Sequence, residues 1–428
     1  MKRGIEMALI KKPVTGMKDI LPNEMRIRDY VTQLVKDTYQ TFGFTPIETP
    51  AVEHIENLLS KQGGENEKLI FKILKRGEKL VLGPDTKEEE LADSGLRYDL
   101  TLPLSRFYSA HAAELPAPFK ALQIGPVWRA DRPQKGRFRQ FVQCDIDILG
   151  DPTNLAEIEL ITATTTLLGK LDFKDFTVRI NDRRILRAMA ESSGFDEKDL
   201  DNVFIILDKM DKIGTEGVRE ELISGGYEKT CVDKYISLFE GDVNGVSYLN
   251  ELSQKIGGFI EDGAISGLTG IMESVEKVKN ADFNIIFDPT LVRGMSYYTG
   301  TIFEITMNEF GSSVAGGGRY DEMIGRFTGN KVCACGFSIG FERIITILLD
   351  RGFTPAGAGE KYAFLIEKGA SSDFTARVIR EATDLRAKGA CVLVSMMNKN
   401  KKFQKEQLEK EGFALDNIRE FYHSEFKN

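Results

Sequence analysis

An α+β fold is what this sequence predicts, and three observations carry the prediction. Residues 120–129 and 139–149 alternate apolar and polar positions, as two strands joined by a charged loop would. Residues 184–280 keep helical periods and carry turn markers at Gly194, Gly225-Gly226 and Gly257-Gly258 without strand alternation, the pattern of a helical insertion. After a Pro/Gly-rich linker at 352–359 the chain reads strand, helix, strand, helix, a small α/β module. The expected domains are therefore 1–183 with 281–352, the insertion 184–280, and the module 360–428.

The first helix is expected over 24–42, where Ile27, Tyr30, Val31, Leu34, Val35, Thr38 and Phe42 share one face. Residues 43–50 hold Pro46 and Pro50, which suit an extended edge or a turn. Short β-like runs at 69–82 suggest a hairpin around Arg76-Gly77. A helix is expected at 157–168, and strands at 176–181 and 283–288. In the module, strands are expected at 362–366 and 391–396, and helices at 374–388 and 402–411.

Composition narrows the class. The chain has 428 residues, 42% hydrophobic and 29% charged, with a formal net charge of −8. These are the values of an ordinary water-soluble globular protein of two or three domains. It has no apolar run of 18 residues, and its first ten residues are too polar for a secretory signal, so a cytoplasmic location is expected and no membrane partner. Five scattered cysteines and three histidines give neither a disulfide framework nor a zinc site. Lys399, Lys401, Lys402 and Lys405 surround Phe403 in the last module. That cluster is open between a solvated helix face and a phosphate-facing surface.

Four segments carry chemistry. The first, 291–304, combines Arg293, Gly294, Tyr297 and Tyr298 just before an apolar run. A permanent cation beside two phenol rings can grip a phosphate or carboxylate next to a flat ligand. An ordinary strand start with core tyrosines explains the segment equally well when it is taken alone. The second, 127–141, packs Arg129, Arg132, Lys135, Arg137 and Arg139 into one loop, a density that calls for an anionic partner such as a polyphosphate. The third is the run Ala315-Gly-Gly-Gly-Arg-Tyr-Asp321, whose glycines allow close approach of backbone. The fourth, 335–344, is a strand-to-helix passage that puts Arg343 in the first helical turns, where a core salt bridge would be its default role.

In this order the segments resemble the three motifs of the class II aminoacyl-tRNA synthetases, and their details are similar to the histidyl-tRNA synthetase family. Residues 43–50 resemble motif 1, with Pro50 at a dimer interface; 127–141 resemble motif 2; 336–344 resemble motif 3. The segment from Arg293 to Tyr298 and the run Ala315–Asp321 resemble the family's histidine motifs. The resemblance implies an antiparallel-sheet catalytic domain with a helical insertion and a short anticodon-binding-like α/β domain. It also implies a homodimer and a reaction in two steps. Histidine and ATP form histidyl-adenylate and pyrophosphate, and the histidyl group then passes to the 3′ end of tRNA(His).

The roles implied residue by residue are these. Arg129 and Arg343 grip ATP phosphates at the α and γ ends. Asp131 sits near the adenine amino group, Phe138 stacks by the adenine and Arg137 contacts the triphosphate tail. Arg293 acts on the α-phosphate, stabilising charge as the carboxylate attacks. Mg2+ accompanies the β and γ phosphates, with no protein metal motif. Asp99 and Thr101, two apart on an expected strand, bind the α-ammonium with Gln143. Asp147 accepts from the imidazole N–H, Tyr298 meets the other ring nitrogen, Tyr297 belongs to the same pocket and Tyr320 closes it. Arg132 and Gln134 touch the tRNA acceptor end. Such a buried polar pocket rejects analogues lacking the ring nitrogens by about 10⁴-fold, so no editing domain is needed.

Three features depart from the family. Ser296 stands where an acidic residue is usual. The segments 97–101 and 143–147 resemble the eukaryotic form while 132–137 resemble the bacterial one. The C-terminal module is short and ends soon after its second helix. The last point keeps a second reading in play, a non-catalytic histidine-sensing paralogue that regulates ATP phosphoribosyltransferase. The set Arg129, Arg137, Arg293 and Arg343 favours the enzyme, since a sensor has no use for all four.

Overall fold

The computed structural model of the chain describes residues 9–59, 66–132, 138–241, 245–293, 298–307, 312–355 and 360–426. It falls into two compact units. One is Val31–Ile347 with the segment through Asp19, and the other is Ile20–Tyr30 with Leu348–Asn428.

In chain order the elements begin with α1 (Pro22–Thr41), β1 (Thr45–Pro46), β2 (Val52–His54), α2 (Ile55–Leu58), β3 (Lys72–Leu74), β4 (Ala92–Leu96) and α3 (Thr101–His111). β5 (Phe119–Trp128), β6 (Gln140–Leu149), α4 (Leu155–Lys170) and β7 (Phe176–Asp182) follow. Helices α5 (Arg183–Ser193), α6 (Leu200–Leu207), α7 (Met210–Ser224), α8 (Lys229–Ile236), α9 (Gly245–Ile256) and α10 (Ala264–Val278) follow, with no strand between them among the described residues. The sheet resumes with β8 (Phe283–Phe287), β9 (Thr301–Met307), β10 (Ser312–Arg319), α11 (Asp321–Thr328), β11 (Ala334–Ile339) and α12 (Phe341–Asp350).

The larger unit is built on an eight-stranded sheet of order β1-β5-β6-β11-β10-β9-β7-β8. Its pairs are antiparallel except β1 with β5 and β7 with β8. Alternation along β6 explains its two faces. Cys144, Ile146 and Ile148 are buried, and α4, whose Leu160, Ile161, Leu167 and Leu168 are also buried, packs on β6 and β11. The other face of β6 presents Gln143, Asp145 and Asp147. Arg319, at the end of β10, forks onto the fully buried Glu157 of α4 at 2.7 Å from both Nε and Nη2. Removing either partner of such a buried pair costs about 3–5 kcal/mol. The α+β architecture is the one expected.

Two local expectations fail. No hairpin forms around Arg76-Gly77, because β3 pairs with β4 instead. Val81 and Leu82, the hairpin's other arm, stay 69% and 74% exposed, so they had no apolar face to bury. The final module also does not stop after its second helix. It consists of β12 (Lys361–Ile366), α13 (Ser372–Ala387), β13 (Cys391–Met396), α14 (Lys401–Lys410) and β14 (Ile418–Phe421). β14 adds to β12 in parallel and buries Ile418 and Phe421. In the basic cluster of α14, Lys401 and Lys405 are drawn inward onto Glu420 of that strand, at 2.9 and 2.7 Å.

Candidate active site

Strand register lays out the floor of a pocket. Asp147 of β6 lies between Ala121 of β5 and Gly336 of β11, and Gly336 faces Gly318 of β10. One row further, Gln123, Asp145, Ser338 and Gly316 align across the same four strands, and Gly316 faces Glu304 of β9. Two of the glycines are required for space. A Cβ at Gly336 would overlap Asp147 Oδ1, and one at Gly316 would overlap the Arg293 guanidinium.

Above this floor is a cavity of about 150 Å³ lined by Asp99, Thr101, Arg129, Gln143, Asp145, Asp147, Tyr298 and Tyr320, among others. It is smaller than the roughly 300–1,000 Å³ usual for drug-sized ligands, so it suits an amino-acid-sized molecule. A larger cavity of about 340 Å³ shares Tyr298 as a lining residue. Three of its four arginines have a carboxylate beside them: Arg184 has Asp182 at 2.8 Å, Arg187 has Glu197 at 2.8 Å and Arg183 has Asp201 at 4.0 Å. The smaller cavity has the opposite character.

That character is unmet acceptance. Gln143 Oε1, Asp145 Oδ1 and Asp147 Oδ2 are buried side-chain oxygens without a hydrogen-bond partner among the described residues. The three follow one another on the same face of β6. Asp147 Oδ1 is used, accepting from Tyr320 Oη at 2.6 Å. Burial raises the Asp147 carboxyl to about 7; the Tyr320 hydrogen bond works against this and Asp99 adds repulsion. Burial first, then repulsion from Asp147, pushes Asp145 well above the carboxylate range, opposed by Ser338 and Arg129. Asp99 is raised by burial as well, against bonds from the Leu102 and Thr101 backbone and the charge of Arg129. A site with three carboxyls held up by desolvation favours a ligand that brings its own positive charge and N–H donors.

Asp99 and Thr101 do not lie on a strand, contrary to the expectation from their spacing. β4 ends at Leu96, and Thr101 opens α3. Asp99 Oδ1 accepts from Leu102 N at 3.0 Å, starting that helix, because a carboxylate ahead of a helix satisfies one of its orphan amides. Both residues still line the cavity. Sequence reading missed Asp145 and Ser338. Strand alternation was the available signal, since Asp145 stands midway between Gln143 and Asp147.

Of the expected phosphate-binding arginines, Arg129 lines the cavity and Arg293 lies against Gly316, which also lines it. Arg129 stacks on the Tyr98 ring at 4.2 Å and the Phe141 ring at 5.1 Å, and its Nε donates to the Tyr98 carbonyl at 3.1 Å. Arg293 is held by the Glu304 carboxylate and by Ser313 Oγ at 3.2 Å. Arg343 donates to the Ser313 carbonyl, so one residue of β10 brings Arg293 and Arg343 together. The carbonyl of Asp131 accepts from Arg139 Nε at 3.0 Å. Lys18 lies over the Phe138 ring at 4.9 Å, and Arg132 is exposed. Gln134, Arg137, Gly294, Ser296 and Tyr297 lie outside the described residues.

Comparison with known proteins gives concordant results. The family model described as Histidyl-tRNA synthetase matches residues 16–344. A histidine–tRNA ligase of Leifsonia xyli subsp. xyli is 43% identical over 414 residues, covering 94% of this chain and 93% of the relative. One from Christiangramia forsetii is 37% identical, covering 81% of this chain and 78% of the relative. Among solved structures, a histidyl-tRNA synthetase from Nostoc sp. PCC 7120 superposes with a TM-score of 0.75 at 28% identity, covering 95% of this chain and 90% of that one. A Bacillus halodurans C protein, described as an ATP phosphoribosyltransferase regulatory subunit/histidyl-tRNA synthetase, has the same TM-score at 21% identity, covering 97% and 98% of the two chains, and shares the fold alone.

Proposed function

Since the chain belongs to the histidyl-tRNA synthetase family, we propose that the β6 pocket binds L-histidine and that the arginines at its edge bind ATP. The chain is a histidine–tRNA ligase. It activates histidine with ATP to histidyl-adenylate, releasing pyrophosphate, and transfers the histidyl group to the 3′ end of tRNA(His). The observation that carries the site reading is the line of unpartnered acceptors at Gln143, Asp145 and Asp147. Free histidine supplies the matching donors, an ammonium and a ring N–H.

In this reading Asp147 Oδ2 accepts from the imidazole, its other oxygen fixed by Tyr320, and Tyr298 meets the second ring nitrogen. Asp99, Thr101 and Gln143 take the ammonium. Arg293, oriented by Glu304, faces the α-phosphate and stabilises the charge that builds there as the histidine carboxylate attacks and pyrophosphate leaves. Arg129 and Arg343 hold the phosphates to either side. Most of the rate gain then comes from alignment and fixed positive charge. Asp131 and Phe138 serve the adenine, Arg137 the triphosphate tail, Tyr297 the histidine pocket, and Arg132 with Gln134 the acceptor end of the tRNA.

Mg2+ would travel on the β and γ phosphates, with water completing its shell. Among the described residues no group of three His, Cys, Asp or Glu could hold an ion by itself. A homodimer through the segment around Pro50, anticodon contact by the last module, and a cytoplasmic location complete the proposal. No helix among the described residues is long and apolar enough to cross a membrane.

A histidine-sensing regulatory paralogue is less well supported. The neighbour whose description joins the two functions is 21% identical, and a sensor needs no phosphate-binding arginines around Ser313.

The test is histidine-dependent ATP–pyrophosphate exchange with wild type and Arg293→Ala. Wild type should exchange, and the variant should lose about 10²-fold or more in kcat while still binding histidine. A wild type that binds histidine but never exchanges would favour the sensor.

A further inference from the structure

We propose that Asp145 is a histidine-binding residue, its Oδ1 and the neighbouring Gln143 Oε1 forming a two-acceptor cradle for the ligand's α-ammonium. This rests on the reading of the pocket as the histidine site and adds to it a residue to which the resemblance gave no role.

Asp99 has spent Oδ1 on the Leu102 amide at 3.0 Å. Asp147 has spent Oδ1 on Tyr320 at 2.6 Å. Asp145 accepts only a long bond from Gln143 Nε2, 3.4 Å to Oδ2, and a contact from Ser338. Its Oδ1 has no partner among the described residues although the residue is 4% exposed. A buried carboxylate oxygen with nothing to accept is costly unless a ligand fills the vacancy.

Position then selects the group. Residues two apart on a strand are about 6.6 Å apart, so Asp145 stands that far from both Gln143 and Asp147. Across the sheet, Asp145 leads through Ser338 to Gly316, beneath Arg293, two strand spacings or about 9.6 Å away. A histidine whose ring meets Asp147 and whose carboxylate points toward Arg293 has its α-carbon above Asp145. The ammonium is the one cationic group it has left to place. Arg129, the only cation lining the cavity among the described residues, is stacked on Tyr98 and bonded to its carbonyl, leaving the Asp145 oxygen to the ligand.

The test measures binding of two probes by calorimetry without ATP, L-histidine and its des-amino analogue imidazole-4-propionate, to the full chain and to Asp145→Asn. The substitution should weaken histidine by at least about tenfold, the worth of a charge-assisted hydrogen bond, and leave the analogue within about twofold. If Asp145→Asn fails to fold, Asp145→Ser serves the same comparison. Equal weakening of both probes would mean a structural role and overturn the proposal, as would no weakening of either. Wild type that binds neither probe would instead sink the histidine reading of the whole pocket, and this inference with it.

Discussion

On β6, Asp145 and Asp147 have ladder partners on both sides, β5 and β11, and Gln143 has Gly125 of β5. Arg132, in contrast, projects exposed from the segment that follows β5, and there the Arg139 side chain donates from Nε to the Asp131 carbonyl. The strand-borne half of the site is buried and short of donors. Of the described loop residues, Arg132 is exposed and Asp131 and Arg139 are half-buried. The difference assigns the tasks: discrimination of a small buried ligand needs fixed, desolvated acceptors, while contact with a large polyanion tolerates adjustable cations.

The largest effect should come from breaking the floor itself. Gly336→Ala puts a methyl onto Asp147 Oδ1 and against the Tyr320 ring. Histidine affinity should fall by about 10²-fold, since a shift of that size in a positioning group is enough, while ATP affinity changes less than about threefold. Separate titrations with histidine and ATP check this. Equal losses for both ligands would erase the distinction between the two halves.

The stored charge gives a second effect, on stability. The Asp147 carboxyl is raised to about 7 in the folded chain, above its value of 3.8 when unfolded. Its contribution is therefore complete below about pH 4 and is lost as the pH rises through about 7. Urea unfolding of the ligand-free chain should show wild type losing on the order of a few kcal/mol between pH 5 and pH 8 relative to Asp147→Asn. Parallel pH dependences in the two proteins would mean that the carboxyl is not held up by the fold.

The smallest effect belongs to the loop. Arg132→Ala should reduce tRNA charging by about tenfold and leave pyrophosphate exchange and histidine binding unchanged. A drop in exchange would move Arg132 into the activation step.

Much of this was legible beforehand where one local rule decides the outcome. Alternation gave β5, β6, β7 and β8, and helical period gave α1 and α4. The α+β class followed from their order. Period also put Gln143 and Asp147 on one face, and applied strictly it would have included Asp145. Reading failed where a tertiary partner overrode the local pattern. Asp99 and Thr101 have strand spacing, yet the carboxylate of Asp99 starts α3. Leu80, Val81 and Leu82 look like a strand but find no sheet. β14 is only four residues long, Ile418–Phe421, and exists because β12 offers it an edge. The glycines at 316 and 336 were visible as glycines, but their reason, the side chains of Arg293 and Asp147 across the strands, required the register.

The central claim is that the histidine pocket is complete on the sheet before any nucleotide arrives. Calorimetric titration of the full chain with L-histidine in the absence of ATP tests it most directly. Saturable one-to-one binding is expected, with an affinity unchanged by Arg132→Ala and weakened about 10²-fold by Gly336→Ala. Histidine that binds only once ATP is present, or equally well to Gly336→Ala, would contradict it.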